Sequence, residues 1–163
     1  MPDAHYLSAA IGWLGLGNAL EAHQELDRIR PQFQTHPDVM AVRCDLYAKE
    51  GKWEMAAGLV TILRDANPLD SQLWITLAYA TRRKADGGLN DAKKILLEAH
   101  KFFRRESIIA YNLACYECQL GDMNSARDWL EKAFSIGDSY TLKVMALSDQ
   151  DLKPLWPELK EKG

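Results

Sequence analysis

The sequence predicts an all-α protein made of stacked helix–turn–helix units, and three observations predict it. Glycine, four residues, alanine recurs four times, at Gly17 and Ala22, Gly51 and Ala56, Gly87 and Ala92, Gly121 and Ala126. Successive glycines are 34, 36 and 34 residues apart, and the alanines keep the same steps. Apolar residues follow each alanine at helical spacing: Leu26 and Ile29, Val60 and Leu63, Leu96 and Ala99, Leu130 and Ala133. That is one core-facing stripe per unit. A period near 34 suits a two-helix unit that cannot bury its apolar face alone and stacks on its neighbours to do so.

The elements follow in order. Units run over about 3–36, 37–70, 71–106 and 107–138, with a C-terminal cap over 139–163, the whole read as a single domain 1–163. Antiparallel helices that pack closely need small side chains where they cross. Ala10, Cys44, Ala78 and Ala114 supply them on the first helix of each pair, and the four alanines of the repeat on the second. The glycines fall in the turn between the two helices, where a residue without Cβ can take the positive φ of a helix end. The third turn, Arg82 to Gly88, is longer by two residues, which accounts for the step of 36. Beyond Asp138 come Tyr140, Leu142, Met145, Leu147, Leu152, Leu155 and Trp156, flanked by charge. A stack of helix pairs leaves an apolar end open, and this segment is expected to close it. Ser148, with Asp151 three positions later, predicts a capped short helix that Pro154 and Pro157 keep from running far.

Composition narrows the function. The 163 residues are 47% hydrophobic and 26% charged, an ordinary globular balance with room for one core. Twenty Lys and Arg against 23 Asp and Glu give a net charge of −3, which offers no broad attraction to nucleic acid or anionic lipid. The start has no basic region. The apolar stretch from Leu7 to Leu20 is short and broken by Gly12, Gly15 and Gly17, so neither a signal peptide nor a membrane span is expected. Three cysteines make no disulfide framework, and a cytoplasmic location follows as the expectation.

No enzyme, cofactor or metal site is predicted. Cys115 and Cys118 stand mid-helix on one face, with no second Cys or His pair to complete a zinc site and no helix N-terminus to lower a thiol pKa. Histidines 5, 23, 36 and 100 show no ligand spacing. Gly15-Leu16-Gly17-Asn18-Ala19-Leu20 lacks the third glycine of a dinucleotide loop and the strand before it. Lys101-Phe102-Phe103-Arg104-Arg105 and Arg82-Arg83-Lys84 close predicted helices, where cations complement the dipole.

The residues resemble the tetratricopeptide repeat (TPR) family over about 3–138. The second unit carries Tyr47, Gly51, Trp53, Ala56 and Pro68, the third Trp74, Leu77 and Ala78, and the fourth Tyr111-Asn112-Leu113-Ala114-Cys115 with Gly121, Met123 and Ala126. The final unit, with Asp149-Gln150-Asp151-Leu152-Lys153-Pro154-Leu155, also resembles a bacterial ending of such arrays. Arg43, Thr81 and Glu117 depart from the pattern, as do the missing closing prolines of units one and three.

The resemblance implies a right-handed superhelix of four repeats plus a cap, with the first helices lining a concave groove. Carried onto this sequence, the groove positions are Leu7, Ile11 and Leu14, then Asp38, Ala41, Asp45 and Lys49. Gln72, Ile75, Tyr79, Arg82 and Arg83 follow, then Ile108, Tyr111, Cys115, Cys118 and Gln119. It further implies a non-enzymatic adaptor that binds a partner protein segment there. The alternative is a dedicated secretion-type chaperone cradling an unfolded client. Leu7 and Ile11 stand where the family's clamp for C-terminal carboxylates has Lys and Asn, so that mode is not expected. The apolar Leu7, Ile11 and Leu14 face is a candidate homodimer surface.

Overall fold

A computed structural model describes residues 1–161. Among them there is no strand, and no helix is long and apolar enough to cross a membrane. The helices are α1 (Ala4–Gly15), α2 (Ala19–Asp27), α3 (Pro37–Lys49), α4 (Trp53–Ala66), α5 (Ser71–Arg83), α6 (Leu89–Phe102), α7 (Ser107–Leu120), α8 (Met123–Ile136), α9 (Ser139–Ser148) and α10 (Trp156–Glu161). Two 3-10 segments, Pro31–Phe33 and Gln150–Leu155, join α2 to α3 and α9 to α10. The chain forms two compact units, Met1–Asp86 and the part from Gly87 onward, divided within the long third turn.

In the first unit α1 packs on α2, α3 on α4, and α4 on α5. The small residues do what their spacing predicts: Ala10, Ala22 and Ala78 have no exposed surface, and Cys44 and Ala56 almost none. Leu26, Ile29, Val39, Val42 and Leu46 close the core around Ala10 and Ala22. Gly17 and Gly51 take φ of 76° and 71°. There Asn18 N–H reaches back to Trp13 O (2.9 Å) and Lys52 N–H to Tyr47 O (2.8 Å), so orphan carbonyls at each helix end are satisfied. Asp3 ties the start of α1 to the end of α2. It accepts from the Arg30 backbone N–H (2.9 Å) and guanidinium (3.1 Å), which together hold its carboxyl below the usual range. Arg43, unusual for its position, bridges Asp27 and Gln34 at 2.8 Å each.

In the second unit α7 packs between α6 and α8, and Ala92, Ala114 and Ala126 are fully buried. Glu117, another departure from the family pattern, is buried and pairs with Lys93 Nζ at 2.8 Å. Gly121 (φ 89°) repeats the turn of the first unit. The third turn, two residues longer, does not repeat it: α5 ends on an extended Lys84, Gly87 takes no positive φ, and the positive φ falls on Gly88 (157°), the residue that opens α6. Gly137 sits against Ser107, with space for no Cβ. Asp149, rather than Ser148, caps the 3-10 segment, since Ser148 still belongs to α9 and its hydroxyl bonds back to Met145 O (2.9 Å).

Candidate functional site

The first helices of the first unit present an exposed face. On α3, Ala41, Asp45 and Lys49 are open, and on α5 Gln72 and Tyr79 are. Ile75, Arg82 and Arg83 are partly buried. Lys49 Nζ donates to Leu14 O (2.9 Å), the last turn of α1, where a cation complements the helix end. Burial pushes the Asp45 carboxyl up, and Lys49 opposes it. On α1, Leu7 and Leu14 pack onto the core, leaving Ile11 as the exposed apolar side chain of that face, at 51%.

Tyr79 is the centre of a preformed cluster. It is 49% exposed, yet the Arg83 guanidinium lies 3.4 Å from its ring centroid and the Trp53 ring meets it edge-on at 5.8 Å. The fork is held from behind, because Arg83 Nη1 also donates to Tyr79 O (3.1 Å). Trp53 comes from the start of α4, a second helix, so a reading confined to first-helix positions misses it. Its place two residues after the turn glycine Gly51 is the available signal.

In the second unit the corresponding face is occupied. Nine residues of α7 are buried, from Ile109 to Cys118, including Tyr111, Cys115 and Cys118. α6 and α8 flank the helix, and the cover over Tyr111 and Cys115 is the chain's own segment after α9. Tyr111 Oη donates to Asp149 Oδ2 (3.0 Å), the Cys115 thiol approaches the same oxygen (3.6 Å), and Gln119 Nε2 donates to Asp151 O (2.9 Å). Leu152 and Leu155 are buried beneath the segment. Ile108 is partly buried and Gln119 remains exposed. The all-round apolar character of Ile108 to Cys118 is the sequence signal that this helix needs covering on every side.

No family model matches the chain, and no curated protein matches it by sequence. Among solved structures it is similar to a thermophilic TPR protein of Thermus thermophilus. The TM-score is 0.68 at 17% identity, over 96% of this chain and 82% of that one. The chain has the TPR fold. At that identity the likeness speaks for the architecture alone.

The Cys44 and Cys118 thiols are those of packed side chains. Burial raises the Cys44 thiol to about 11 and, with Asp151 and Asp149 nearby, raises Cys118 as well. Reactive thiols are shifted the opposite way. Burial likewise pushes the Tyr111 phenol well above its ordinary value, reinforced by Cys115 and Asp149. Cys115 Sγ and carboxylate oxygens of Asp149 and Asp151 lie within 4.8 Å of one another, a group of metal-ligand type. Asp149 is already engaged by Tyr111 and by the Asp151 N–H (3.0 Å), bonds that dock and cap the segment. His23 pairs with Glu50 (2.9 Å), His36 caps α3, and His100 meets Trp129 edge-on.

Proposed function

We propose that the protein is a non-enzymatic binding module that takes a partner protein segment along the first-helix face of its first unit, between Ile11, Asp45, Lys49, Gln72, Ile75, Tyr79, Arg82 and Arg83. The observation that carries this is the Trp53, Tyr79 and Arg83 cluster, an exposed ring with a guanidinium already stacked on it. Tyr, Trp and Arg dominate binding energy because a rigid ring or planar fork gives much contact for little lost freedom. Here that freedom is spent before any partner arrives, so less is lost on association. The neighbouring Asp45 and Lys49 offer one charge of each sign, which suits a mixed-charge segment with an apolar or aromatic anchor.

The test is affinity capture from native lysate with wild type and with Tyr79→Ala/Arg83→Ala. A protein retained by the first and lost by the second supports the reading. Equal capture by both overturns the assignment to this face. If the captured protein is insoluble when made alone and soluble with this chain, the module is a dedicated chaperone for it.

A further inference from the structure

The face that α3 and α5 leave open is closed on α7 by a linear segment of the same chain, and the closure follows the register of the repeat. Ala41, Asp45 and Lys49 recur 34 residues later as Ile75, Tyr79 and Arg83, and 36 further on as Tyr111, Cys115 and Gln119. The last three are the side chains that hold the segment, one per helical turn. The segment behaves as a docked peptide rather than as a further helix of the stack. It leaves α9 through an extended Asp149, runs as a 3-10 stretch containing Pro154, and inserts Leu152 and Leu155 at three and six positions after its aspartate. Its far end is clipped to α8, where Arg127 grips Glu158 with two bonds of 2.6 and 2.8 Å.

We propose that the α7 face is a peptide-binding site carrying a built-in ligand, and that its outside partner is a chain segment with an acidic residue followed by leucines at the third and sixth positions. Such a segment replaces 149–155: its carboxylate takes the Tyr111 hydroxyl, and its leucines take the places of Leu152 and Leu155. This surface is separate from the one proposed for the first unit, and neither reading depends on the other. A tethered ligand competes at an effective concentration of about millimolar, so an outside segment binds the intact chain more weakly than its intrinsic affinity allows. The segment therefore sets a threshold for partner concentration as well as covering the helix.

The test uses the full chain in a Cys44→Ala background, which leaves Cys115 and Cys118 as the only thiols. Thiol labelling is followed in that parent and in Asp149→Ala/Leu152→Ala, with the probe an unlabelled peptide of residues 148–161. The parent is expected to label slowly. The variant should label faster by about ten-fold or more at unchanged helical ellipticity, and the peptide should restore protection. The same peptide with alanine at positions 149 and 152 should not. Thiols that stay protected in the folded variant, or that the peptide fails to protect, overturn the proposal and make the segment a fixed cover. If the double variant loses its ellipticity, Arg127→Ala takes its place, since it releases only the far clip. It is then expected to bind a fluorescein-labelled peptide of residues 148–155, which ends before Glu158, several-fold more tightly than the parent in an anisotropy titration, and equal binding overturns the proposal.

Discussion

Replacing Gly137 by alanine should destabilise the second unit by about 1–2 kcal/mol, for a reason that owes nothing to backbone strain. Gly137 has φ −102° and ψ −169°, an extended conformation open to any residue. The obstacle is space. A Cβ built there lies 2.7 Å from Ser107 Oγ, 2.8 Å from Ser107 Cβ and 3.0 Å from Leu142 Cδ1. Leu142 can yield by rotation, but Ser107 Cβ is fixed to the first turn of α7, so α7 and the end of α8 must move apart. Overpacking of this kind costs roughly 1–3 kcal/mol. Alanine also restricts the unfolded chain, which returns about 0.4–1 kcal/mol. The assay is urea unfolding followed by ellipticity, with Ser107→Gly and the double variant completing a cycle. The steric account requires the two changes to be coupled: Gly137→Ala should cost less once Ser107 has lost its Cβ. A midpoint unchanged in the single variant, or strictly additive changes in the double one, would refute it.

Three further outcomes are expected. Ala56→Leu, at a helix crossing with 1% exposure and Cys44 Sγ 3.5 Å from the Ala56 carbonyl, should cost about 1–3 kcal/mol. An unchanged urea midpoint would remove Ala56 from the crossing. Lys93→Met leaves the Glu117 carboxylate buried without the ammonium 2.8 Å away and should destabilise by about 2–3 kcal/mol, less than for a fully buried pair because Lys93 is 28% exposed. Glu117→Gln, which removes the charge and keeps the shape, should cost less, and the reverse order of midpoints counts against the pairing. The third outcome concerns pH. Burial, with Lys132 and Arg104 adding to it, lowers the pKa of His100 in the folded state. The unfolded chain therefore takes up this proton first, and the contribution to stability, fully present above an unfolded value of about 6.5, is lost as pH falls toward the folded value. Urea midpoints at pH 7.5 and 5.5 should thus differ more in wild type than in His100→Gln, and equal differences would show that His100 carries none of the dependence.

What the sequence makes legible here is what is local and repeated. Eight small side chains at helix crossings can be placed from spacing alone, because a period of two helices forces the same steric demand at each return. The turns at Gly17, Gly51 and Gly121 follow from the same logic, since a tight reversal after a helix requires a residue that accepts positive φ. The third turn is harder to place: with two more residues available, the chain sets its unusual glycine at Gly88, the cap of the next helix, instead of at Gly87. Serine and aspartate both cap helices well, so Ser148 and Asp149 compete on local grounds. The choice falls to Asp149 because its second oxygen also receives the Tyr111 hydroxyl, from 38 residues away. The Tyr79 cluster is legible in part. Tyr79 and Arg83 are one helical turn apart and must meet, whereas Trp53 reaches them only through the packing of α4 on α5.

The second unit also shows why the end of such an array cannot be read as one more copy of the repeat. An interior first helix can leave one face to solvent, and α3 does so with Asp45 and Lys49. On α7 the matching positions hold Cys115 and Gln119, one turn beyond Tyr111 in a run of mostly apolar residues, and Lys93 pairs with the buried Glu117 carboxylate. An exposed face of that composition invites association with other chains. The tail answers with two kinds of contact that do different work. Leu152 and Leu155 remove apolar surface from water, each worth about 1.5–3 kcal/mol and indifferent to a small slip along the helix. The bonds from Tyr111 to Asp149 and from Gln119 to Asp151 are worth less, roughly 0.5–1.5 kcal/mol for a neutral pair and more to a carboxylate, but they tolerate no slip. Burial thus holds the tail down while hydrogen bonds fix its register. A competing segment has to meet both demands together, so leucines without the acidic residue are retained poorly in register, and an acidic residue without leucines is not retained at all.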